Sequence, residues 1–214
     1  MNEHESIIFD MDGTLWNASE SSAKGWNAAL ASYGLSGIVI TPRHMESVAG
    51  LPLNECVRAL ITDESAASDP HLLETIDAHE KITVEDAGGT PFEGVVEGIE
   101  ALAARYPLFL VSNCQDWYLA AFWRHVPVER FFRASLCHGA TGASKAEMIG
   151  RTVDAHRLRN SIYIGDTDGD ERAARAAGIG FGFAEYGFGK ARRPDLRFRS
   201  FSHIVDRFAK PSHP

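Results

Sequence analysis

Cysteine is scarce in this sequence. Cys56, Cys114 and Cys137 are the three present, widely spaced and without a Cys-x-x-Cys pair, which argues against both a disulfide framework and a structural zinc site. The nine histidines are scattered and never take His-x3-His spacing, so zinc is not implied from that side either. No run of Lys and Arg stands out, and 21 basic against 29 acidic residues leave a formal charge of −8. Polyanion binding normally shows as a basic run or face, so nucleic acid is not an expected partner. No apolar stretch approaches the roughly 20 residues that span a bilayer, so no membrane partner is expected. The opening MNEHES carries no cationic segment followed by an apolar one, so the expected location is the reducing cytoplasm, and the sequon-like Asn17-Ala18-Ser19 reads as chance.

What is present is the composition of a globular protein: 214 residues, 44% apolar and 23% charged. A chain of this length buries on the order of 70% of its unfolded surface and needs no staples. Three short apolar runs end in polar residues: Ile7-Ile8-Phe9 before Asp10, Leu108 to Val111 before Ser112, and Ile162 to Ile164 before Gly165-Asp166. Continuous apolarity rather than alternation marks strands of a parallel sheet covered on both faces. Val95, Ile99 and Leu102 share one helical face, and Ile149, Val153 and His156 another, which predicts crossover helices between the strands. The expected fold is therefore α/β, a doubly wound parallel sheet of Rossmann-like type.

About 100 residues separate Asp10 from Ser112, where one crossover needs only about 30. Something is inserted, and its pattern is helical: Trp26, Ala29, Leu30 and Tyr33 form one face and Val57, Leu60 and Ile61 another, with breaks at Pro42, Pro52 and Asp69-Pro70. The spacing predicts a small helical domain over residues 17–86, within a core of residues 1–16 and 87–214. Gly88-Gly89-Thr90-Pro91 is the expected return hinge, and Lys210 to Pro214 the expected frayed tail.

Polar clusters follow each apolar run, and open α/β sheets gather their sites at the carboxyl edge of the strands. Asp10-Met11-Asp12-Gly13-Thr14 places two carboxylates two residues apart on one side of an outgoing strand; an Asp-Gly turn with surface acids is the plainer reading. Ser112-Asn113 offers a hydroxyl, an amide and backbone N–H groups suited to phosphate oxygens. Lys145 opens a helix and could supply a point charge, although lone lysines are usually solvated. Gly165-Asp166-Thr167-Asp168-Gly169-Asp170 crowds acids that repel one another and invite a divalent cation.

Taken together, IIFDMDGT, LVSN, Lys145 and YIGDTDGD resemble the four motifs of the haloacid dehalogenase superfamily over about residues 6–178. Within it the chain most resembles phosphatases with a helical cap between the first two motifs, the phosphoglycolate-phosphatase-like proteins. The resemblance implies that Asp10 is the nucleophile forming an aspartyl-phosphate, and that Asp12 is the acid and base. It implies Mg²⁺ as cofactor, held by Asp10, Asp166 and the Asp12 carbonyl with Asp170 in support. Thr14, Ser112, Asn113 and Lys145 would bind a small phosphorylated metabolite.

Rival readings separate on particular residues. Dehalogenases of the superfamily need no acid at the position of Asp12, because halide leaves without a proton. Phosphonoacetaldehyde hydrolase uses a cap lysine and lacks that acid; Lys24 reads instead as a solvated helix residue. A phosphosugar mutase would share the aspartyl-phosphate, but no mutase-specific cap signature is found. A non-catalytic phospho-ligand-binding relative would be free to lose Asp10, Asp12, Lys145 or Asp166. The segment from Asp166 is no calcium loop, since Glu171 stands where glycine is needed and Ala177 where glutamate is needed. Gly187-Phe188-Gly189-Lys190 completes no P-loop.

Four departures or open positions remain. Asn17 stands where many relatives carry an acid, and with Trp16 it faces the hinge. Lys145 lacks the following proline common in the phosphatases. Cys114 is assigned no catalytic role. Arg43 and the Gly50-Leu51-Pro52 turn are the candidate specificity residues.

Overall fold

The computed structural model describes residues 4–209; the expected tail from Lys210 lies outside them. The chain runs β1 (Ser6–Phe9), β2 (Trp16–Asn17), α1 (Ser19–Ser32), α2 (Pro42–Val48), α3 (Leu53–Leu60), α4 (Glu64–Ala67), α5 (Pro70–Ala87) and β3 (Thr90–Pro91). It continues through α6 (Val95–Ala103), β4 (Leu108–Ser112), α7 (Asp116–His125), β5 (Phe132–Cys137), α8 (His138–Thr141), α9 (Lys145–His156) and β6 (Ser161–Gly165). The last elements are α10 (Asp168–Ala176), β7 (Gly180–Ala184), β8 (Leu196–Phe198) and α11 (Phe201–Phe208).

The three apolar runs become neighbouring strands. The parallel sheet has the order β5-β4-β1-β6-β7-β8, with β1 between β4 and β6. Phe9 stands beside Leu110 on one side and Ile164 on the other, so the chain segments that follow these strands emerge side by side. Successive side chains of β1 point to opposite faces. Ile7 and Phe9 enter a cluster with Val95, Ile99, Phe122 and Phe201 of α6, α7 and α11, while Ile8 enters another with Met148, Ile149 and Ala174 of α9 and α10. Burial on both faces is why these strands lack polar alternation.

The helix starts are specified locally. Ser144 and Glu147 form a reciprocal cap on α9, and Thr167 and Asp170 do the same on α10, each satisfying two otherwise orphaned groups. The expected α9 face shifts slightly: Met148, Ile149 and Thr152 are buried, with the Thr152 hydroxyl donating to the Met148 carbonyl at 2.9 Å. His156 is exposed, though its ring centroid lies 4.7 Å from that of Phe109.

Between β1 and β4, the antiparallel pair β2–β3 joins Trp16 to Pro91 and Asn17 to Thr90. Helices α1 to α5 lie between those two strands and enclose a separate apolar cluster of Trp26, Leu30, Val57, Ile61, Leu72 and Ile76. Trp26 Nε1 donates to Glu80 Oε2 at 2.9 Å across α1 and α5. These helices meet the sheet domain through α7, where Trp117 Nε1 donates to Asp77 Oδ1 at 2.9 Å. No helix among the described residues is long and apolar enough to cross a membrane.

Candidate active site

Asp10 leaves the end of β1, where its backbone N–H still donates to the Ile164 carbonyl at 2.8 Å. The chain then turns sharply: Gly13 has φ +74°, and a Cβ there would overlap the Asp166 carboxylate, so both the turn and the close approach require glycine. Thr14 and Leu15 complete the turn with N–H bonds to the Met11 carbonyl.

Lys145 reaches in from the first turn of α9. Its Nζ lies 2.9 Å from Asp10 Oδ1 and 2.6 Å from Asp170 Oδ1, and all three side chains are buried. A cation in the first helical turn opposes the helix dipole, so the position is held by this pairing rather than by local preference. Burial works against the charge on Lys145, but Asp10 and Asp170 overcome it and hold the lysine more firmly protonated than usual. Asp170 is fully engaged: its Oδ2 also accepts from Asp166 N, Thr167 N and Thr167 Oγ1 at 3.1, 3.0 and 2.7 Å.

Asp166 is fixed differently. Its Oδ2 accepts from the backbone N–H groups of Phe188 and Gly189 at 2.7 and 3.3 Å. The glycine segment that completes no P-loop thus folds back onto the acidic motif, and Tyr186 ties it further by donating to the Thr14 carbonyl at 2.7 Å. Sequence reasoning missed this role, because the donors are main-chain groups that residue type does not reveal.

Asp10, Asp166 and Asp170 each offer a carboxylate oxygen, and these lie within 4.8 Å of one another. One lysine faces three buried carboxylates. Burial first, then Asp170, raise Asp10 to about 7 against the opposing pull of Lys145; burial, Asp170 and Asp10 likewise raise Asp166. Asp10 Oδ2 and Asp166 Oδ1 are buried without a hydrogen-bond partner among the described residues. Two orphaned oxygens in a cluster short of positive charge, all donors being oxygen, fit a hard divalent cation.

Asp12 stands apart from that cluster. Its Oδ1 accepts from Tyr118 Oη at 2.8 Å and from Trp16 Nε1 at 3.1 Å. Burial raises its pKa to about 6, opposed by the Tyr118 hydroxyl, Lys145 and Trp16. Trp16 is therefore a partner of Asp12 as well as hinge packing. Tyr118 was not foreseen: in the run DWYLAAFW of α7 it reads as core.

Ser112 ends β4 buried, with its Oγ accepting from Cys114 N at 3.3 Å. Asn113 Nδ2 donates to the Gly50 carbonyl at 2.8 Å, leaving Oδ1 buried and unpartnered, as is Thr14 Oγ1. Gly50, at φ +82°, begins a turn over the site; a Cβ there would lie 4.0 Å from Lys145 Nζ and 3.6 Å from Thr167 Oγ1. Gly50 and Leu51 line a cavity, continuous with solvent, between the inserted helices and Asp12, Ser112 and Asn113. Arg43 does not: it is exposed on α2 and absent from that lining. Lys24 is likewise exposed. Cys114 lines the cavity, but burial and its contact with Cys137 keep the thiol protonated.

The model of the haloacid dehalogenase-like hydrolases matches residues 7–184. Fructose-1-phosphate phosphatase YqaB of Escherichia coli is 24% identical over 82% of this chain and 94% of its own length. A phosphoglycolate phosphatase of Rhodobacter capsulatus is 26% identical over 93% and 94%. A haloacid dehalogenase-like hydrolase of Streptococcus pneumoniae superposes with a TM-score of 0.83 at 21% identity, covering 97% of this chain and all of that one. The chain belongs to the haloacid dehalogenase-like hydrolase family. It is an enzyme of the phosphoric monoester hydrolase class, that of both curated relatives.

Proposed function

We propose that this chain is a Mg²⁺-dependent phosphatase acting on a small phosphorylated metabolite through an aspartyl-phosphate on Asp10. The observation that carries the reading is the pairing of a lysine-bound Asp10, its second oxygen free, with the orphaned Asp166 oxygen beside it. Asp10, Asp166 and the Asp12 carbonyl would hold the metal. Bound there, Mg²⁺ would offset the repulsion between the carboxylate and a phosphate dianion. Asp170 supports the site from behind, holding Lys145 with one oxygen and the Thr167 turn with the other.

Asp10 attacks phosphorus as the bond to the leaving alkoxide breaks, and Asp12 passes that alkoxide its proton. Asp12 then takes a proton from the water that hydrolyses the aspartyl-phosphate, which restores Asp10 and releases phosphate. A carboxyl near pKa 6 suits both duties, since an acid and base works best when its pKa is close to the working pH. Tyr118 and Trp16 orient it. Lys145 balances charge on the transferring group, and Thr14 Oγ1, Ser112 and the Asn113 amide are positioned to meet its oxygens. The helices of residues 17–86 act in this reading as a cap over a core of residues 1–16 and 87–214. Three free thiols accord with a reducing cytoplasm.

The test is Mg²⁺-dependent release of phosphate from an aryl phosphate by the wild type. It should vanish in excess chelator and in a folded Asp10→Asn variant; full activity in either would reject the reading.

A further inference from the structure

The cavity between the inserted helices and the phosphate-facing residues is where the alcohol half of a phosphomonoester would lie. It is concave and lined from both the inserted helices and the sheet domain, the setting of a small-molecule site rather than of a folded partner. What lines it is one-sided in charge. Asp12, Glu46 and Glu80 contribute three carboxylates, and no Lys, Arg or His is among the described lining residues. Lys145, the cation next to it, has its Nζ committed to Asp10 and Asp170.

Beside the hydroxyls of Ser19 and Ser22 and the Gln115 amide, the cavity presents acceptors with capacity to spare. Asn113 Oδ1 is buried and unpartnered, its orientation fixed by the bond from Nδ2 to Gly50. Glu46 Oε1 receives only long contacts, from Asn17 Nδ2 and Ser19 Oγ, each at 3.4 Å, which leaves capacity for a better donor. Trp117, Tyr118 and Phe188 supply apolar walls.

A leaving group ending in a carboxylate would meet the carboxylate of Glu46 beside the acid groups of Asp12 and Glu80, with no uncommitted cation to receive it. Like charges so placed in a partly desolvated site cost several kcal/mol, on the order of 100-fold in affinity. We propose that the physiological substrate is the phosphate ester of an alcohol without an acid group, recognised through its own hydroxyl or ammonium donors by Glu46 and Asn113. This rests on the phosphatase reading and narrows it: an acidic phosphoester such as phosphoglycolate is disfavoured, because the cavity offers its carboxylate no cation.

Three probes of matched size test it, differing only in the terminal group: 2-phosphoglycolate (carboxylate), 2-hydroxyethyl phosphate (hydroxyl) and O-phosphoethanolamine (ammonium). Each is measured as a competitor of p-nitrophenyl phosphate hydrolysis by the wild-type protein with Mg²⁺. The carboxylate probe should bind on the order of 100-fold more weakly than the better of the other two. Their order tells hydroxyl from ammonium recognition, and either order supports the proposal. Equal or tighter binding of 2-phosphoglycolate, or competition by none of the three, overturns the proposal while leaving the phosphatase reading standing. Failure to hydrolyse p-nitrophenyl phosphate overturns both.

Discussion

Replacing Glu80 by glutamine isolates the cost of a charge that the inserted helices bury. Glu80 is 7% exposed on α5 and accepts from Trp26 Nε1 at 2.9 Å. Burial raises its pKa from 4.5 to about 7, with hydrogen bonds from Ser22 and Trp26 opposing and the charges of Asp12 and Asp77 adding. The folded state thus holds this proton more tightly than the unfolded chain. Stability must fall as pH climbs from about 4.5 to about 7, then stay lower by a constant amount. At about 1.4 kcal/mol per pH unit the loss is roughly 3 kcal/mol, a sizeable part of a usual domain stability of about 5–15 kcal/mol. Glutamine keeps an acceptor for Trp26 and cannot ionise. Urea unfolding of both proteins, without metal, at pH 4.5 and pH 8 gives the quantity needed, because other titrating groups cancel in the difference. The Glu80→Gln variant should gain roughly 3 kcal/mol on wild type between the two pH values. A gap that does not change with pH would refute the reasoning, showing that Glu80 remains ionised in the fold at no cost.

Three further outcomes follow from the site. Asp12→Ala should slow alkyl phosphate hydrolysis by roughly 10²- to 10⁴-fold, yet with nitrophenyl phosphate, whose leaving group needs little help, rapid quench should show a burst near one equivalent and intact-protein mass a trapped phosphate. Tyr118→Phe keeps the ring that packs edge-on against Trp16 but removes the donor that stabilises ionised Asp12; the Asp12 pKa should rise, and the alkaline limb of kcat/KM for an alkyl phosphate should move to higher pH. Mg²⁺ should raise the melting temperature of the wild type, because a ligand bound only to the folded state stabilises it by mass action. In Asp166→Asn calorimetry should show that rise much reduced, and an undiminished rise would place the cation elsewhere.

The strands that carry the chemistry were legible because burial on both faces leaves an unbroken apolar signature. Those beside them were not. In β5 the sequence FRASLC is mostly half-buried at the sheet edge, and in β7 the glycines of GFGFA hide a strand whose Gly182 leaves room for the Phe198 ring. The acidic motifs could be read because carboxylates so close together have few structural uses. The supports of the site escaped: Tyr118 lies far along the chain from Asp12, and the groups that hold Asp166 are peptide N–H groups, identical in every residue but proline. That Arg43 stands outside the cavity lining escaped for a related reason, since a charge on a short helix does not declare which way that helix faces until its buried side is known.

The position of β1 between β4 and β6 has one more consequence. Asp10, Ser112 and Asp166 stand at the ends of three adjacent strands, so the distances among them are set by the interval at which peptide groups pair, about 4.8 Å per strand. That interval is a property of the main chain and does not depend on any particular side chain. Replacements among α1 to α5 can therefore reshape the chamber above without altering the gauge of the machinery below. A lineage carrying this arrangement could change what the chamber admits while the spacing of Asp10, Ser112 and Asp166 stayed constant.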